Sequence, residues 1–484
     1  MQISGISAIY RLATRFNIAF AVAMLSLFAS VSLIQPAAAM NIQKIKSPGG
    51  IEAWLVEEHG VPLLALRYAF FGGTSQDRPD KEGTANFITA MMDEGAGELA
   101  SSEYQERMED IAMRMRYEDS KDSIYGSFET LTVNRDKAIE LLKLSLQKPR
   151  FDGDAVERIR QQLIANLVYA EKDPDKVAAR AWYSMAFPGH SYGNPENGTL
   201  ASVGKITRDD LADYHKRVFA RSNLKIVAVG DIDAATFGKL LDDVFGGLPA
   251  EAELLPVAIT TPAAGEQRVI DMDVPQSVAV FGMGAMPRKD PDFMPAFVVN
   301  QIVGSGGFSS KLMEEVREKR GLAYSVYSYL QPYQHTSVLI GSVATKNKSM
   351  GESLQIIRSV LDKIAKEGPT EKDLREAKDY LIGSYALRFD TNAKIAAQLL
   401  GLQQEGFDTD YVDTRNKLIE AVTPEDAKRV ARRLLKTDDL IVAIVGKPEG
   451  LDKPATASPS GAVPAARATP APVPSPAAKS ANPG

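Results

Sequence analysis

The sequence has 484 residues, with 56 basic and 62 acidic side chains, four histidines and no cysteine. This length predicts about three domains and allows a large apolar core. A sequence without cysteine excludes disulfides, cysteine-ligated zinc, iron–sulfur clusters and thiol nucleophiles, and four histidines leave little room for a histidine-rich metal site. A formal net charge of −6, with no basic stretch to offset it, argues against nucleic acid as a partner.

The first 39 residues have the pattern of a signal peptide. Arg11 and Arg15 precede a mainly apolar run over residues 17–34, and Pro-Ala-Ala-Ala follows at 36–39. A charged segment, an apolar segment and a small-residue cleavage site in that order predict export, with cleavage after Ala39. An uncleaved membrane anchor is the alternative, because about 18 residues can just span a bilayer. We expect a periplasmic protein without a stable membrane anchor, since an exported chain that lacks cysteine needs no oxidative folding.

The C-terminal segment, residues 450–484, is rich in proline, alanine, serine and threonine. Such a composition cannot bury enough apolar surface to offset the loss of chain entropy, so it predicts a disordered tail. A specific proline-rich ligand motif is the less favoured alternative.

The region between these termini contains the same helix–strand unit twice. Residues 207–230 begin with Thr-Arg-Asp-Asp-Leu and end with Ile-Val-Ala-Val-Gly, and residues 423–446 begin with Thr-Pro-Glu-Asp-Ala and end with Ile-Val-Ala-Ile-Val-Gly. Both the threonines and the glycines are 216 positions apart, so the segments align without a gap. Each has an N-cap threonine, acidic residues in the first helical turn and a strand of buried type. A repeat at this spacing predicts two tandem homologous domains.

Within each unit, predicted strands and helices interleave. Apolar patterns predict strands at residues 51–58, 61–71, 123–131 and 277–284, and helices at residues 87–92, 105–115, 135–147 and 294–303. Short connections favour an α+β fold with largely antiparallel sheets flanked by helices. The predicted organisation is a signal peptide (1–39), a first domain (40–255), a linker (256–266), a second domain (267–449) and the tail (450–484).

The order of these elements and three motifs resemble one protein family. The strongest match is G-S-G-G-F-S-S-K-L-M-E-E-V-R-E-K-R-G-L-A-Y-S-V, which begins at Gly304, and F-G-G-T-S from Phe71 and H-S-Y-G from His190 support it. Over residues 44–448 the chain resembles the pitrilysin/insulinase-type zinc peptidases, which include the mitochondrial processing peptidases. The resemblance implies two similar α+β domains that form half of a clamshell and face another half across a closed chamber.

The zinc motif of that family is absent at the matching position. The resemblance implies an H-x-x-E-H helix, whose histidines bind zinc from one face while the glutamate activates the metal-bound water. Here Asn86 and Ala90 occupy the histidine positions and Thr89 occupies that of the base. Asn166 occupies the position of the third ligand, to within one or two residues. Because alanine cannot bind a metal and threonine is no base at neutral pH, we expect no metal or other cofactor in this chain.

Arg317 and Tyr324 match a second feature of the family. The resemblance implies an arginine and, seven positions later, a tyrosine in the second domain, which reach the substrate across the chamber. A guanidinium offers permanent donors to peptide carbonyls, and a phenol can stabilise a tetrahedral oxyanion. Spacing alone favours a solvated arginine and a packed aromatic ring, but the intact motif around them favours the functional pair. We expect Arg320 to cap the C-terminal end of the helix.

Gly304, Gly306 and Gly307 form a glycine-rich segment before the helix of Arg317. It is a weak candidate for a nucleotide loop, because no lysine stands at the spacing that cradles a phosphate. A turn needs only residues that tolerate positive φ before a helix, here with Ser309 as the predicted N-cap. The resemblance adds a second interpretation, in which noncatalytic members of the family use this loop to handle substrate. The sequence supports both interpretations equally.

The four histidines do not suggest a replacement metal site. His59 lies in a predicted turn, His190 precedes a loop, His215 lies on a helix and His335 lies in a polar loop. No two of them are within one helical turn of each other in the sequence. We therefore expect surface or capping roles for all four.

A preserved second-domain motif beside a dismantled zinc motif predicts a noncatalytic subunit of a two-subunit periplasmic zinc metallopeptidase. A homologous partner with H-x-x-E-H would carry the zinc, and this chain would supply Arg317 and Tyr324 and help to enclose an unfolded peptide. The peptide is expected to add as a strand to a sheet edge, which makes recognition mainly backbone-based. The alternatives are a structural or peptide-binding scaffold subunit and, less favoured, an active zinc peptidase with unusual ligands.

Overall fold

The computed structural model of the chain describes residues 40–451. The predicted signal peptide and residues 452–484 of the predicted tail lie outside the described residues. Two large sheets with flanking helices make a mixed α+β fold with largely antiparallel strands, which confirms the predicted fold class. Between residues 40 and 451, no helix combines the length and the apolar character needed to cross a membrane.

The strands of the first half form one large sheet and one small hairpin. They are β1 (Gln43–Lys46), β2 (Glu52–Glu57), β3 (Leu63–Phe71), β4 (Gly95–Ala96), β5 (Leu99–Ala100), β6 (Arg114–Asp119), β7 (Ser123–Leu131) and β8 (Leu224–Gly230). The hairpin pairs β4 with β5, and the sheet has the order β1-β2-β8-β3-β7-β6. Its neighbours are antiparallel except for the parallel pair of β2 and β8. β6 is therefore an edge strand.

All but one of the helices of the first half build the first apolar core on one face of this sheet. They are α1 (Thr84–Thr89), α2 (Ser101–Asp110), α3 (Arg135–Gln147), α4 (Gly153–Ala170), α5 (Pro174–Ala186), α6 (Leu200–Lys205), α7 (Arg208–Val218) and α8 (Ala234–Phe245). Large side chains such as Tyr68, Phe87 and Phe128 fill the core. Burial of such side chains supplies about 2 kcal/mol each, which is the main force that holds α1 and α4 in place.

The second half repeats this arrangement around a five-stranded sheet. Its strands are β9 (Gln267–Asp271), β10 (Gln276–Gly284), β11 (Ala323–Pro332), β12 (Ser337–Lys346) and β13 (Ile441–Gly446), in the order β11-β12-β10-β13-β9. Its helices are α9 (Phe293–Asn300), α10 (Met350–Glu367), α11 (Glu371–Gly383), α12 (Asn392–Gln404), α13 (Tyr411–Glu420) and α14 (Pro424–Leu434). Only β13 and β9 pair in parallel, and β11 is an edge strand.

The predicted repeat is present in three dimensions. Thr207 and Thr423 cap α7 and α14, each in a reciprocal capping box with the aspartate three residues later. The two helices lead into β8 and β13, and each of these strands belongs to the parallel pair of its sheet. All six residues of β13 are buried, because helices cover both faces of the sheet at this strand. Burial on both faces explains its uninterrupted apolar sequence.

Each half contributes one helix to the outer face of the other half's sheet. α5 packs on β10 and β13, and the indole N–H of its Trp182 donates to the carbonyl of Ile441 at 3.3 Å. α12 packs on the first sheet, where Leu399 and Leu400 share an apolar cluster with Trp54 of β2. The two tryptophans of the chain thus lie at the two contacts through which the halves hold each other.

Residues 251–266 connect the halves without a helix or strand, and the predicted linker falls within them. The side chain of Gln76 binds both the N–H and the carbonyl of Leu255, at 2.6 and 3.1 Å. Further along, the N–H of Ala263 donates to the carbonyl of Ala186 at 2.8 Å. These hydrogen bonds tie the connection to the first half along its length.

The helix predicted at residues 105–115 is wrong in its second half. α2 ends at Asp110, and β6 begins at Arg114. Ala112, with a φ of 51°, reverses the chain between them. Alternate apolar side chains from Met113 onward are buried, as expected for a strand with one face on the core. The helical period of α2 runs directly into this alternation, and that obscures the boundary.

Candidate functional site

The helix at the position of the zinc motif is short and is held by one aspartate. α1 follows Gly83, whose φ of 94° favours glycine, and a Cβ there would lie 2.9 Å from the carbonyl oxygen of Asn197. Asp77 accepts the N–H groups of Gly83 and Ala85 at 2.8 and 2.9 Å and so satisfies the N-terminal end of the helix. Burial raises the pKa of Asp77 well above its ordinary value.

Asn86 and Thr89 of α1 face Asp119 at the end of β6. Asn86 Nδ2 donates to Asp119 Oδ1 at 2.9 Å. Thr89 Oγ1 donates to the carbonyl of Asn86 at 2.8 Å and lies 3.4 Å from the same Asp119 oxygen. Burial raises the pKa of Asp119 to about 6, and the charge of Glu196 adds to the increase while the hydrogen bond from Asn86 opposes it. We call Asn86, Thr89 and Asp119 the polar cluster.

Asn166 does not join the polar cluster. It lies on α4 with its side chain exposed, whereas Leu163 and Ile164 pack against the first core. The guanidinium carbon of Arg160, on the same helix, lies 5.3 Å from the centre of the Phe87 ring in α1. The side of α4 that meets α1 therefore carries Arg160, and Asn166 makes no hydrogen bond to Asn86, Thr89 or Asp119 within the described residues.

The residues at the motif position do not fit zinc. A catalytic zinc site needs three protein ligands, usually imidazole or carboxylate. The polar cluster offers one carboxylate, an amide that already donates to it, and a hydroxyl, while Ala90 has no donor atom. Across residues 40–451, no group of three or more His, Cys, Asp or Glu side chains is placed to hold a metal ion.

A cavity of about 250 Å³ near the polar cluster was not predicted from the sequence. Lys121, two residues after Asp119, lines it and is only 2% exposed. Its Nζ lies 3.1 Å from Glu196 Oε1 and 4.4 Å from the centre of the Tyr183 ring. Tyr183 shares a 2.7 Å hydrogen bond with Tyr333 of the second half. A buried lysine has no sequence pattern of its own, so the only signal was a polar segment directly after an alternating strand.

In the second half, Arg317 contacts two exposed aromatic rings. Its guanidinium carbon is 4.6 Å from the centre of the Phe308 ring and 5.1 Å from the centre of the Tyr324 ring. Phe308 is 67% exposed and Tyr324 is 84% exposed, so both rings are accessible to a ligand. Aromatic faces attract a guanidinium, and contacts with two rings limit the directions in which it can point. We call these three residues the arginine–aromatic group.

Two acidic residues close to Arg317 in sequence, Glu314 and Glu315, pair with other cations. Lys319 binds Glu314 and Glu315, each at 2.7 Å, and Arg320 binds Glu315 at 2.7 Å. Arg320 also donates to the carbonyl of Glu315 at 2.7 Å, as expected of a residue that caps the end of a helix. Arg317 forms no ion pair within residues 40–451, and its N–H donors are therefore available to a bound group.

Two π-helical segments flank the glycine-rich segment. The first, Gln301–Ser305, continues α9, and the second, Met313–Glu318, carries Arg317. Turns of this type are rare and occur frequently at functional sites. Tyr324 follows as the second residue of the edge strand β11. The predicted placement of Arg317 late in a helix and of Tyr324 at the start of a strand agrees with this arrangement.

Glycine is required at the three positions for different structural reasons. A Cβ at Gly304 would lie 2.2 Å from Ser328 Oγ and 2.6 Å from Ser328 N, so this position packs directly against β11. A Cβ at Gly306 would lie 2.6 Å from the carbonyl oxygen of Gln301. Gly307 has a φ of 57° and open space around it. Close packing therefore explains the first two glycines, and only Gly307, next to Phe308, is accessible from solvent without a steric role.

The predicted N-cap, Ser309, is wrong by one residue. Gly307–Ser309 forms a 3-10 turn, which moves the start of the helix to the next position. Ser309 Oγ donates to the carbonyl of Gly306 at 2.8 Å, and Ser310 Oγ instead accepts the N–H of Met313 at 3.4 Å.

The edge strand β11 continues toward the first half with further tyrosines. Tyr327 and Tyr329 are partly exposed and stack with their ring centres 6.3 Å apart. Burial raises the pKa of Tyr329 to about 12, with smaller contributions from Tyr327 and the charge of Glu196. The strand that begins at the arginine–aromatic group therefore extends to the neighbourhood of the Lys121 cavity.

His215 has a capping role at the end of α3, within the predicted surface or capping roles, but it is not a surface residue. His215 is mostly buried, stacks on Phe219 at 4.7 Å and places Nε2 2.9 Å from the carbonyl oxygen of Leu146. Burial lowers its pKa to about 4, so it is neutral at physiological pH. His59 is exposed, and His190 caps a short 3-10 turn, as predicted.

Two sequence profiles of one family match the chain. The profile described as "Insulinase (Peptidase family M16)" matches residues 65–199, and the profile described as "Peptidase M16 inactive domain" matches residues 205–381. Together they cover well over half of the sequence; the second begins within the first half of the fold, at the end of α6, and continues into α11 of the second half.

Relatives and solved structures agree with these profiles. The "Non-peptidase homolog YmxG" of Helicobacter pylori is 26% identical over 389 residues, which are 80% of this chain and 90% of that protein. "Mitochondrial-processing peptidase subunit beta" of Lentinula edodes is 24% identical over 397 residues, 78% of this chain and 84% of that protein. A crystal structure of a peptidase M16 inactive domain from Pseudomonas fluorescens, 28% identical, superposes with a TM-score of 0.80 and covers 86% of this chain and 100% of its own.

Proposed function

Because the chain belongs to peptidase family M16 and its polar cluster does not fit zinc, we propose that it is the noncatalytic, substrate-binding subunit of a heterodimeric zinc peptidase. Its partner would be a homologous chain with H-x-x-E-H, and the two would enclose an unfolded peptide between them. Export by the N-terminal segment would place the pair in the periplasm. The names of two relatives support this proposal, since one is called a non-peptidase homolog and the other is a subunit of a processing peptidase.

The observation that carries the proposal is the state of Arg317. It contacts two exposed rings and has no ion pair within the described part of the chain, whereas Glu314 and Glu315 pair with other cations. A residue with only a surface role would be expected to pair with Glu314 or Glu315. An arginine that is oriented and left without a counter-ion is suited to bind a group from outside the chain.

The chemistry of the arginine–aromatic group suits a peptide at a partner's zinc site. When bound there, zinc would polarise the scissile carbonyl. Arg317 would donate N–H groups to carbonyl oxygens of the peptide next to that bond. The Tyr324 hydroxyl would donate to the oxyanion that forms at the scissile carbonyl. Removing one such donor typically lowers kcat by about 100-fold to 1,000-fold.

Edge strands give the peptide a place to bind. β6 ends at the polar cluster, and β11 begins at the arginine–aromatic group; both are edge strands of their sheets. An extended peptide that pairs with an edge strand is held by main-chain hydrogen bonds, so recognition tolerates many sequences. Unfolded peptides fit this requirement because their backbones are not already paired.

The direct test combines the purified chain with a homologous chain that carries H-x-x-E-H and measures cleavage of an unfolded peptide. We expect the two chains to form a stable complex that cleaves the peptide much faster than the partner alone. Formation of the complex without any gain in cleavage would favour the scaffold alternative. One zinc per isolated chain, lost together with peptidase activity in Asn86→Ala, would instead support an active enzyme with unusual ligands.

A further inference from the structure

A second cavity, of about 350 Å³, lies in the second half away from the polar cluster and the arginine–aromatic group. It is enclosed by α9, α12, α13 and the 3-10 segment Tyr385–Phe389. Three arginines and a single carboxylate line it, namely Arg288, Arg388, Arg415 and Glu405. We call it the arginine pocket.

Arg415 is the unusual residue of the arginine pocket. It is only 6% exposed, and its guanidinium carbon lies 4.1 Å from the centre of the Tyr385 ring. Its Nη1 donates to the carbonyl of Leu381 at 3.1 Å and to Asn416 Oδ1 at 2.9 Å, both of them neutral groups. No carboxylate of residues 40–451 pairs with it. A buried charge without a counter-ion is strongly unfavourable unless something else compensates it.

The neighbouring cations increase that cost. The pKa of Arg415 is lowered to about 10, mainly by burial; the positive charges of Arg388 and Arg288 contribute to the decrease and Tyr385 opposes it. Arg288 is neutralised by Glu405, at 2.7 Å from its Nε. Arg388 is half-buried and makes no ion pair within the described residues. The pocket therefore carries an excess of two positive charges, from Arg388 and Arg415.

The remaining wall of the pocket is mainly apolar, with Gln398 as a further polar residue. Phe293, Phe297, Met294, Leu330 and Leu402 contribute to it, and Tyr385 and Tyr411 present ring faces. A small apolar or aromatic group of a ligand can be buried here, beside the two guanidinium groups. The planar fork of a guanidinium matches a carboxylate in a bidentate geometry. Walls of this composition suit a ligand with one anionic group better than a fully hydrated multivalent ion.

We propose that the arginine pocket binds the carboxylate of a small organic anion whose body is apolar or aromatic, with Arg415 and Arg388 as the donors. The C-terminal residue of a peptide is one group of this class. Binding requires only residues of this chain, so the inference does not depend on the proposed partner or on Arg317.

The test uses the purified full chain and a pair of probes that differ in one group, N-acetylphenylalanine and its neutral amide. The carboxylate is expected to bind and to raise the melting temperature, and the amide is expected to do neither. Arg388→Gln should weaken binding of the carboxylate by about tenfold, since one charge-assisted donor is lost. Arg415→Gln should abolish binding, and Arg375→Gln, an exposed arginine of α11, should leave it unchanged.

Three results would overturn the inference. Equal binding of acid and amide would show that the charge is not recognised. Unchanged affinity in Arg388→Gln would show that Arg388 is not a donor to the carboxylate. This variant is expected to fold even if Arg415→Gln does not, because Arg388 is only half-buried and unpaired in the described structure. Binding of inorganic phosphate at the pocket, with no binding of the carboxylate, would contradict the assigned class of ligand.

Discussion

The guanidinium carbon of Arg317 lies 5.1 Å from the ring centre of Tyr324, so the two residues touch across the turn between the second π-helical segment and β11. The two side chains, seven positions apart in the sequence, are therefore in contact and form one unit. The ring centre of Phe308 also lies close to this guanidinium carbon, at 4.6 Å. A peptide that reaches this unit meets both a cationic donor and a phenol in fixed relative positions.

Arg317→Ala should have little effect on folding. The side chain has no ion pair in residues 40–451, and an exposed cation–π contact is worth about 0.5–1 kcal/mol, so we expect the free energy of unfolding to fall by no more than about 1 kcal/mol. Urea denaturation of the purified chain measures this change. Arg67→Ala is the control, since Arg67 is largely buried and paired with Glu129. A loss in Arg317→Ala as large as in the control would indicate a structural role.

Gly304→Ala should destabilise the fold, and Gly307→Asn should not. The new Cβ at position 304 would lie 2.6 Å from a backbone nitrogen of β11, and overpacking of this kind costs about 1–3 kcal/mol. Gly307 has a φ of 57° and open surroundings, which asparagine tolerates better than other non-glycine residues. Denaturant midpoints of the two variants give the comparison. Equal stability of Gly304→Ala and the wild type would contradict the packing explanation.

Asp119→Asn should stabilise the protein at neutral pH but not in acid. Burial raises the pKa of Asp119 to about 6 from its ordinary value of 3.8, so between these values the folded state binds a proton that the unfolded state has lost. The stability that this group contributes is therefore present below pH 4 and is lost as the pH rises through 6.

Asparagine at position 119 cannot ionise, so the variant does not lose this stability as the pH rises. Its amide oxygen can still accept the hydrogen bond from Asn86. We expect it to be more stable than the wild type by on the order of 1–2 kcal/mol at about pH 7.5, and equally stable at about pH 4. Urea unfolding at the two pH values measures the difference. A difference that does not change with pH would contradict the assigned titration of Asp119.

The two halves should unfold together, because each buries a helix on the other's sheet. Trp54 and Trp182 report on the two contacts separately, since one lies in the cluster with α12 and the other lies on α5 against the second sheet. Tryptophan fluorescence of Trp54→Phe and Trp182→Phe, each with one remaining tryptophan, should give coincident urea transitions. Two well-separated transitions would show that the exchanged helices do not couple the halves.

Local patterns in the sequence predict much of the fold. The two capped helices that lead into β8 and β13, and the alternation in β7, follow from the periodicity of a few consecutive residues. The replacement of the zinc motif could also be predicted, because Asn86 and Ala90 stand at fixed distances from motifs that are preserved. Such features depend on residues close together in the chain.

Features that depend on distant contacts could not be predicted in this way. The packing of α5 and α12 on the sheet of the other half could not be predicted locally, because the residues in contact are far apart in the sequence. The sequence predicts that Lys121 and Arg415 lie at the surface, because long charged side chains are usually exposed. Only the folded structure shows that both are buried. The shift of the N-cap from Ser309 to Ser310 results from one extra 3-10 turn, which no residue type signals on its own.

The most direct test of the proposed function is kcat of the reconstituted complex with Arg317→Ala in this chain. Arg320→Ala is the matched control, because Arg320 lies three residues away and binds only Glu315. We expect both variants to assemble with the partner. Arg317→Ala should lower kcat by about 100-fold, and Arg320→Ala should keep the wild-type kcat. An intact complex that cleaves peptide at the wild-type rate with Arg317→Ala would contradict the claim that this chain supplies an arginine to its partner's active site.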